Sequence, residues 1–246
     1  MRQLRTGVVL LAITSFFSAA CSWDFNNPSA DEWDVQIVGD SVFDLSGDIR
    51  NVLKSLSGKG YKDRSVSGAK IAAIDNQLGK AESRSSLKTV IADGGANDIL
   101  QGSADCDSDP LTQGCLDTLD YIGDRMANMI NDMYVGPSSD HVWLGYYHVK
   151  GSEAEKNESI DYAYDNIYPD LFDLTGYGGT AYSGAVPGYG VYQGSVLGSF
   201  DIALADPRGS IVSSDIKSDD IHPTYSGSVK LANLIWGVMV DQNMYR

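Results

Sequence analysis

The fold of this chain follows from the stretch DVQIVGDS, residues 34–41, where a short apolar run ends in Gly39, Asp40 and Ser41. Residues 34–38 predict a buried β-strand. After Ser41, apolar residues recur at helical spacing until two glycines end the pattern, at Leu45, Ile49, Val52, Leu53, Leu56, Gly58 and Gly60. Ser41 is therefore predicted to lie where a strand passes directly into a helix.

The same alternation of strand and helix continues along the chain. Apolar runs predict further strands at residues 61–66, 87–92, 141–149 and 202–205, and helical spacing predicts helices over residues 71–78, 116–133 and 231–238. Alternating units of this kind favour a mainly parallel sheet with helices on both faces. We therefore predict a single-domain α/β protein, a three-layer α/β/α sandwich.

Two more short motifs follow predicted strands, as Ser41 does. Gly68 follows the second strand, in Ser-Val-Ser-Gly-Ala, and Asn97 follows the third, in Gly-Ala-Asn-Asp. Because the carboxyl ends of parallel strands meet at one edge of a sheet, these residues should converge there. Asp40 and Asp98 adjoin the motifs, and we expect them to fix the loops through bonds from side chain to backbone.

A carboxylate and an imidazole stand three residues apart near the C-terminus, in Asp219-Asp-Ile-His222-Pro223. That spacing allows Asp219 to accept the ring N–H of His222 and leave the opposite ring nitrogen free to take a proton. Pro223 disfavours helical geometry at the preceding residue, so His222 should lie in an extended loop before the last helix. A nucleophile, a base, an orienting carboxylate and amide donors are what acyl transfer through a serine needs.

These motifs, in this order, resemble those of the SGNH (GDSL-type) hydrolases over about residues 34 to 240. One departure is Val42, where the family's four-letter name has Leu. The resemblance implies a flavodoxin-like fold and an esterase or lipase that needs no cofactor. Its substrates would be O-acyl esters such as acetylated carbohydrate, small esters or lysophospholipid. It also implies a catalytic set formed by Ser41, Asp219 and His222. The oxyanion hole that it implies is formed by Ser41, Gly68 and Asn97.

The N-terminal residues are typical of an export signal. Residues 1–20 carry two arginines followed by an uncharged apolar stretch too short to span a bilayer comfortably. Cys21 follows Ser-Ala-Ala, which fits bacterial lipoprotein processing with Cys21 as the lipidated residue, and also ordinary cleavage after Ala20. We expect a signal peptide at 1–20, a linker at 22–33, and a hydrolase domain at 34–246 that is exported and lipid-anchored, or otherwise secreted.

The cysteines and the net charge indicate the compartment of the protein and limit its classes of partner. Cys106 and Cys115 are close in sequence and can pair in an oxidising compartment, which leaves Cys21 as the odd cysteine. Removal of residues 1–20 takes away two positive charges and no negative ones, so the net charge of −15 becomes −17. Such a surface repels phosphate backbones and argues against nucleic-acid partners. We expect a monomer that acts on small-molecule, carbohydrate or lipid esters.

Two parts of the chain supply candidate substrate contacts. His148 lies near the end of the predicted fourth strand, and residues 176–199 are rich in glycine and tyrosine, with Tyr182 and Tyr189 as candidate substrate contacts. This segment fits a lid or an irregular loop equally well. His141 and His148 should face opposite sides of the strand, and we propose no metal site. The alternative function is a non-catalytic surface lipoprotein that binds glycans through the tyrosine-rich segment.

Overall fold

A computed structural model describes residues 33–172, 189–192 and 201–246. Within them, strands and helices alternate for most of the chain. The strands are β1 (Val35–Val38), β2 (Lys62–Asp63), β3 (Thr89–Ala92), β4 (Asp140–Leu144), β5 (Tyr189–Tyr192) and β6 (Asp201–Ala205). The helices are α1 (Ser41–Asp44), α2 (Asp48–Ser57), α3 (Ile71–Glu82), α4 (Ala96–Leu100), α5 (Gln113–Val135), α6 (Asn157–Tyr162), α7 (Tyr168–Phe172) and α8 (Tyr225–Asp241). A 3₁₀ turn, Gly151–Lys156, precedes α6, and a π-helical turn, Ala163–Ile167, links α6 to α7.

The described strands form one sheet in the order β2-β1-β3-β4-β6-β5. All neighbours pair in parallel except β5, which runs antiparallel to β6 at the edge. Alternate strand residues point to opposite faces, and each face packs against helices. The predicted α/β architecture with a mainly parallel sheet is confirmed.

Two apolar clusters, one on each face, hold the helices to the sheet. One contains Phe43, Leu53 and Ile235, from α1, α2 and α8. The other contains Leu78 and Met129, from α3 and α5, with further residues from α6 and the π-helical turn. At about 25 cal/mol per Å² of buried apolar surface, this burial is the main force that holds the layers together. These clusters give the α/β/α sandwich its three layers.

Three elements are broken or shortened for reasons that the structure shows. The helix expected after Ser41 is broken at Gly47, whose φ of 64° lies in the left-handed region, and Leu45 is accordingly exposed. The second strand shortens to the edge pair Lys62–Asp63, where Asp63 accepts the Ser65 N–H. Beyond that pair the chain still follows β1, because the N–H groups of Arg64 and Val66 donate to the carbonyls of Ile37 and Gly39. The fourth strand ends at Leu144, since its pairing with β6 ends at Ala205.

The segment 176–199 contains one regular element among its described residues. Residues 189–192 form β5, with Gly190 paired to Leu204 of β6. This part of the segment is therefore a strand and not an irregular loop. The other residues of the segment, including Tyr182, lie outside the described residues, as do residues 1–32.

Helices α1 to α8 all lie within the described ranges. None of the helices there combines the length and the apolar character that a bilayer crossing requires.

Candidate active site

Ser41, His222 and Asp219 lie together at the carboxyl edge of the sheet. Ser41 is the first residue of α1, directly after β1, and its Oγ lies 2.8 Å from Nε2 of His222. On the other side of the ring, Nδ1 lies 2.9 Å from Oδ2 of Asp219. If Nδ1 donates to the carboxylate, Nε2 is the acceptor for the serine proton. The arrangement is that of a serine nucleophile, its base and the carboxylate that orients the base.

A tight turn presents the histidine. The backbone N–H of Lys217 donates to the carbonyl of His222 at 2.8 Å, and Ile216 and Pro223 form a bridge beyond it. His222 lies outside α8 as predicted, but on this closed turn and not on an extended loop. Asp219 Oδ1 also accepts the backbone N–H groups of Ile221 and His222 at 3.1 and 2.9 Å. One carboxylate therefore holds both the turn and the ring.

Those hydrogen bonds also set the charge of Asp219. Partial burial raises its pKa, but the bonds donated by the His222 backbone, the His222 ring and the Ile221 backbone outweigh burial and lower the pKa below its usual value. The carboxylate therefore remains ionised through the neutral range. An ionised Asp219 stabilises the imidazolium that forms when His222 takes a proton.

Residues from the segment after β4 hold this turn through side-chain and backbone hydrogen bonds. Tyr147 Oη donates to the Ile221 carbonyl at 2.8 Å, and the Lys150 N–H donates to the Asp220 carbonyl at 3.0 Å. Lys150 Nζ reaches the Ile216 carbonyl at 2.7 Å. Because these contacts hold the backbone that leads into His222, they restrict the position of its ring.

Asp40 is a buried carboxylate beside the nucleophile. It is 1 % exposed, and its Oδ1 caps α1 by accepting the Val42 N–H at 2.9 Å. Its Oδ2 accepts the Tyr146 hydroxyl at 2.6 Å and the Asn97 amide at 3.3 Å. Burial raises the pKa of Asp40, and the Tyr146 and Val42 bonds partly offset that effect. The expected loop-fixing role of Asp40 is confirmed, and Asp98 plays a similar role by accepting the Ile71 N–H at 2.8 Å.

A second buried acid, Asp93, fixes the loop before Ser41. Its Oδ1 accepts the Asp40 N–H at 2.9 Å, while the Gln77 side chain bonds to both the N–H and the carbonyl of Gly39. A Cβ at Gly39 would lie 2.0 Å from Asp93 Oδ1, so only glycine fits there. Burial, followed by the charge of Asp40, raises the pKa of Asp93 well above its usual value, which favours the protonated form.

The loop that carries Gly68 lies beside α1, because the N–H of Ser67 donates to Asp44 at 2.8 Å. Neither the N–H of Ser41, in the first turn of α1, nor the N–H of Gly68 donates a hydrogen bond to another group within the described residues. Gly68 has a φ of 78°, a left-handed conformation that favours glycine. Free amide N–H groups near a serine suit the negative charge that develops on a carbonyl oxygen.

Asn97 lies beside them with its side chain engaged. Its Nδ2 donates to the Ala69 carbonyl at 3.1 Å and to Asp40 at 3.3 Å, and its Oδ1 accepts from Gln101 at 2.7 Å. Both amide hydrogens thus have acceptors in the protein. For Asn97 to stabilise an oxyanion, the longer bond, to Asp40, must be shared or given up.

An apolar pocket opens beside Ser41 and Asn97. It extends between α4, α5 and the α6 region, and its lining includes Ile99, Leu119, Ile122, Met126, Ile160 and Ala163. A concave, mostly apolar site with a few polar groups at one end is typical of small-molecule binding.

The remaining predicted site residues lie elsewhere. Cys106 and Cys115 form a disulfide, as predicted. His148 is exposed, pairs with Asp161 at 2.9 Å, and does not line the pocket beside Ser41. Tyr189 belongs to β5, while Tyr182 and Cys21 lie outside the described residues. The roles proposed for these last four residues stay predictions.

Among the described residues, no group of three or more His, Cys, Asp or Glu side chains could hold a metal ion. His141 lies on β4 and is buried, with its Nε2 2.8 Å from Ser138 Oγ. His148 lies beyond the end of β4, so the two histidines do not share a strand, contrary to the prediction.

The residues that support the site, Tyr146, Tyr147 and Gln77, are not among those predicted from sequence. Tyr146 and Tyr147 follow β4 at the same sheet edge as Ser41 and Asn97. The rule that residues directly after parallel strands converge at this edge therefore indicates both tyrosines once β4 ends at Leu144. Gln77 lies inside α3, and its contact with Gly39 spans 38 residues. Nothing in its local sequence indicates that contact.

The comparisons with known proteins agree with this geometry at the level of fold. No protein-family model matches the chain, and no curated protein matches it. Several solved structures, in contrast, are similar to it. A lipase from a goat rumen metagenome has a TM-score of 0.57 and 13% identity, covering 82% of this chain and 95% of that one.

Two further solved structures are similar. An acetylxylan esterase from Geobacillus stearothermophilus has a TM-score of 0.53 and 12% identity, covering 89% of this chain and 96% of that one. A candidate SGNH hydrolase from Slackia heliotrinireducens has a TM-score of 0.54 and 12% identity, covering 83% and 97%. This chain therefore has the fold of the SGNH hydrolases and esterases.

Proposed function

We propose that this protein is a serine ester hydrolase that works through an acyl-enzyme on Ser41. The observation that carries the proposal is the continuous contact from Ser41 Oγ to His222 Nε2, at 2.8 Å, and from His222 Nδ1 to Asp219, at 2.9 Å. Proximity of this kind is what general-base activation of a hydroxyl requires.

The first half-reaction forms the acyl-enzyme. His222 Nε2 takes the proton from Ser41 as Oγ bonds to the ester carbonyl carbon, and the carbonyl oxygen becomes an oxyanion. The N–H groups of Ser41 and Gly68, with Asn97 once it releases Asp40, would donate to that oxyanion. The bond to the alcohol oxygen then breaks, and His222 returns the proton to the departing alcohol.

The second half-reaction restores the enzyme. His222 takes a proton from water as the water oxygen bonds to the acyl carbon, and the bond from that carbon to Ser41 Oγ then breaks. The proton passes from His222 to Ser41, and the acid is released. Each step needs only groups within reach of one imidazole, so the proposed reaction requires no cofactor.

A chromogenic ester assay tests the proposal. Wild-type protein should hydrolyse short p-nitrophenyl esters, and Ser41→Ala should lose at least about three orders of magnitude in kcat. Ser46→Ala is the matched control, because Ser46 is exposed and its Oγ accepts a hydrogen bond from the Asp48 N–H at 3.2 Å, away from the site. Equal turnover by wild type and Ser41→Ala would remove the enzyme assignment and leave the glycan-binding alternative.

We also propose that the mature protein is exported from a bacterial cytoplasm and anchored to a membrane through a lipidated Cys21. The support is the charged and apolar pattern of residues 1–20 and the odd cysteine at their end. Intact mass of the cell-purified protein should give an N-terminal Cys21 carrying lipid, and Cys21→Ser should leave the membrane fraction. An unmodified N-terminus at Cys21 would favour free secretion.

A further inference from the structure

The pocket beside Ser41 has a composition that decides what it can hold. Beyond its mouth, side chains from three helical elements line it, and nearly all of them are hydrocarbon. Leu119, Ile122 and Met126 come from successive turns of α5 and are buried, while Ile160 and Ala163 face them from α6 and the π-helical turn. Burial of apolar surface is the attraction that such a wall offers a ligand.

Several polar side chains also reach the pocket, but they already have partners in the protein. A sugar needs donors and acceptors for its hydroxyl groups, and groups used elsewhere cannot supply them without loss. The bonds are Tyr146 Oη to Asp40, Tyr147 Oη to the Ile221 carbonyl, Ser159 Oγ to the Lys156 carbonyl, and Lys156 Nζ to Asp107 and Glu153.

The position of the pocket assigns it to one part of an ester. Ser41 and Asn97 line the same pocket as the apolar wall, so a chain attached to a carbonyl carbon at Ser41 can enter it. An acetyl group offers one methyl to that wall and leaves most of it unfilled. A longer unbranched chain fills it and removes more apolar surface from water.

We propose that this pocket is an acyl-chain site, so that the enzyme takes esters of unbranched aliphatic acids longer than acetate. The inference rests on the proposed function, since it places the acyl carbon at Ser41. It also separates the substrates left open by the sequence, because it disfavours acetylated carbohydrate and favours lipid-like esters.

Chain-length profiles test the proposal. With p-nitrophenyl acetate, butyrate, hexanoate and octanoate, wild-type kcat/KM should rise about fourfold for each CH₂ that leaves water, until the pocket is full. Ala163→Phe should reduce octanoate turnover more than acetate turnover and so lower the octanoate-to-acetate ratio at least about tenfold. Ile160→Ser is a milder second variant that should lower the same ratio.

Ala154→Phe is the matched control, since Ala154 is exposed on the 3₁₀ turn and does not line the pocket. Its chain-length profile should equal that of wild type. If wild-type protein hydrolyses acetate as well as octanoate, or if Ala163→Phe and Ile160→Ser both keep the wild-type ratio, the acyl-chain site is wrong and the esterase proposal still holds.

A binding measurement keeps the two proposals distinguishable if no ester is hydrolysed. Ser41→Ala protein should bind octanamide more tightly than acetamide by calorimetry, and the added substitution Ala163→Phe should abolish that difference. If that difference is found without hydrolysis, the pocket stands and the esterase proposal fails. Equal affinity for the two amides would overturn the pocket as well.

Discussion

Replacing Tyr146 by Phe removes the hydroxyl that donates a hydrogen bond to Asp40, the buried carboxylate beside the nucleophile. Burial, followed by the nearby Asp40 charge, raises the pKa of Tyr146 well above its usual value, so the hydroxyl keeps its proton and donates to Asp40 at 2.6 Å. A hydrogen bond to a charged group contributes about 1.5–3 kcal/mol. For a chain of this size, that loss lowers Tm by roughly 3–12 °C.

Tyr147→Phe is the matched control, because the neighbouring hydroxyl donates to a neutral carbonyl at 2.8 Å. A neutral bond contributes about 0.5–1.5 kcal/mol, so this variant should be less destabilised than Tyr146→Phe. Its effect should appear in kcat, since the Ile221 carbonyl adjoins His222. Thermal unfolding by circular dichroism and ester hydrolysis on the same samples separate the two effects.

A double-mutant cycle locates the Tyr146 effect on Asp40. In an Asp40→Asn background the bond becomes neutral, and Tyr146→Phe should then lower the free energy of unfolding by only about 1 kcal/mol. The reasoning is refuted if Tyr146→Phe melts with the wild type, or if its cost is the same with and without the Asp40 charge.

Three further predictions concern single side chains. Asp219→Asn should keep the fold but lower kcat by about four orders of magnitude, because the ring loses its orienting charge; single-turnover kinetics that match the wild type would contradict this. Gly68→Ala should lower both stability, by about 1–2 kcal/mol, and kcat, since φ of 78° strains any other residue, and unchanged melting and turnover would count against it. For Glu82, burial and then the charges of Asp132 and Asp75 raise the pKa in the folded protein to about 7, above its unfolded value. The folded state therefore holds this proton more tightly than the unfolded state, and the stability that the protonated side chain contributes at acid pH is lost as pH rises towards 7. Glu82→Gln should therefore gain at most about 1–2 kcal/mol over wild type at about pH 8, and no gain at about pH 5, in denaturant titrations; the opposite trend would refute the sign.

The parts of the site that sequence could predict are those set by local rules. Ser41 follows an apolar strand, and the three-residue spacing of Asp219 and His222 alone allows their contact, so both were predicted without knowledge of the rest. The break at Gly47 was missed because helical spacing continues across it, and tertiary packing leaves Leu45 exposed.

Other features depend on partners that are distant in sequence. The Tyr146 to Asp40 bond joins residues 106 apart, and the end of β4 depends on where β6 ends. The engagement of Asn97 by Asp40 and Ala69 is likewise a property of the folded loops. Local patterns carry no information about such contacts, which is why the donors of the predicted oxyanion hole could be named but not their partners.

The most direct measurement is the site of covalent labelling by a fluorophosphonate, which reacts only with a serine activated as a nucleophile. Intact mass and peptide mapping should place one phosphonyl group on Ser41 of the wild-type protein and none on Ser41 of His222→Ala. Labelling of another residue, or equal labelling of Ser41 with and without the imidazole, would contradict the account.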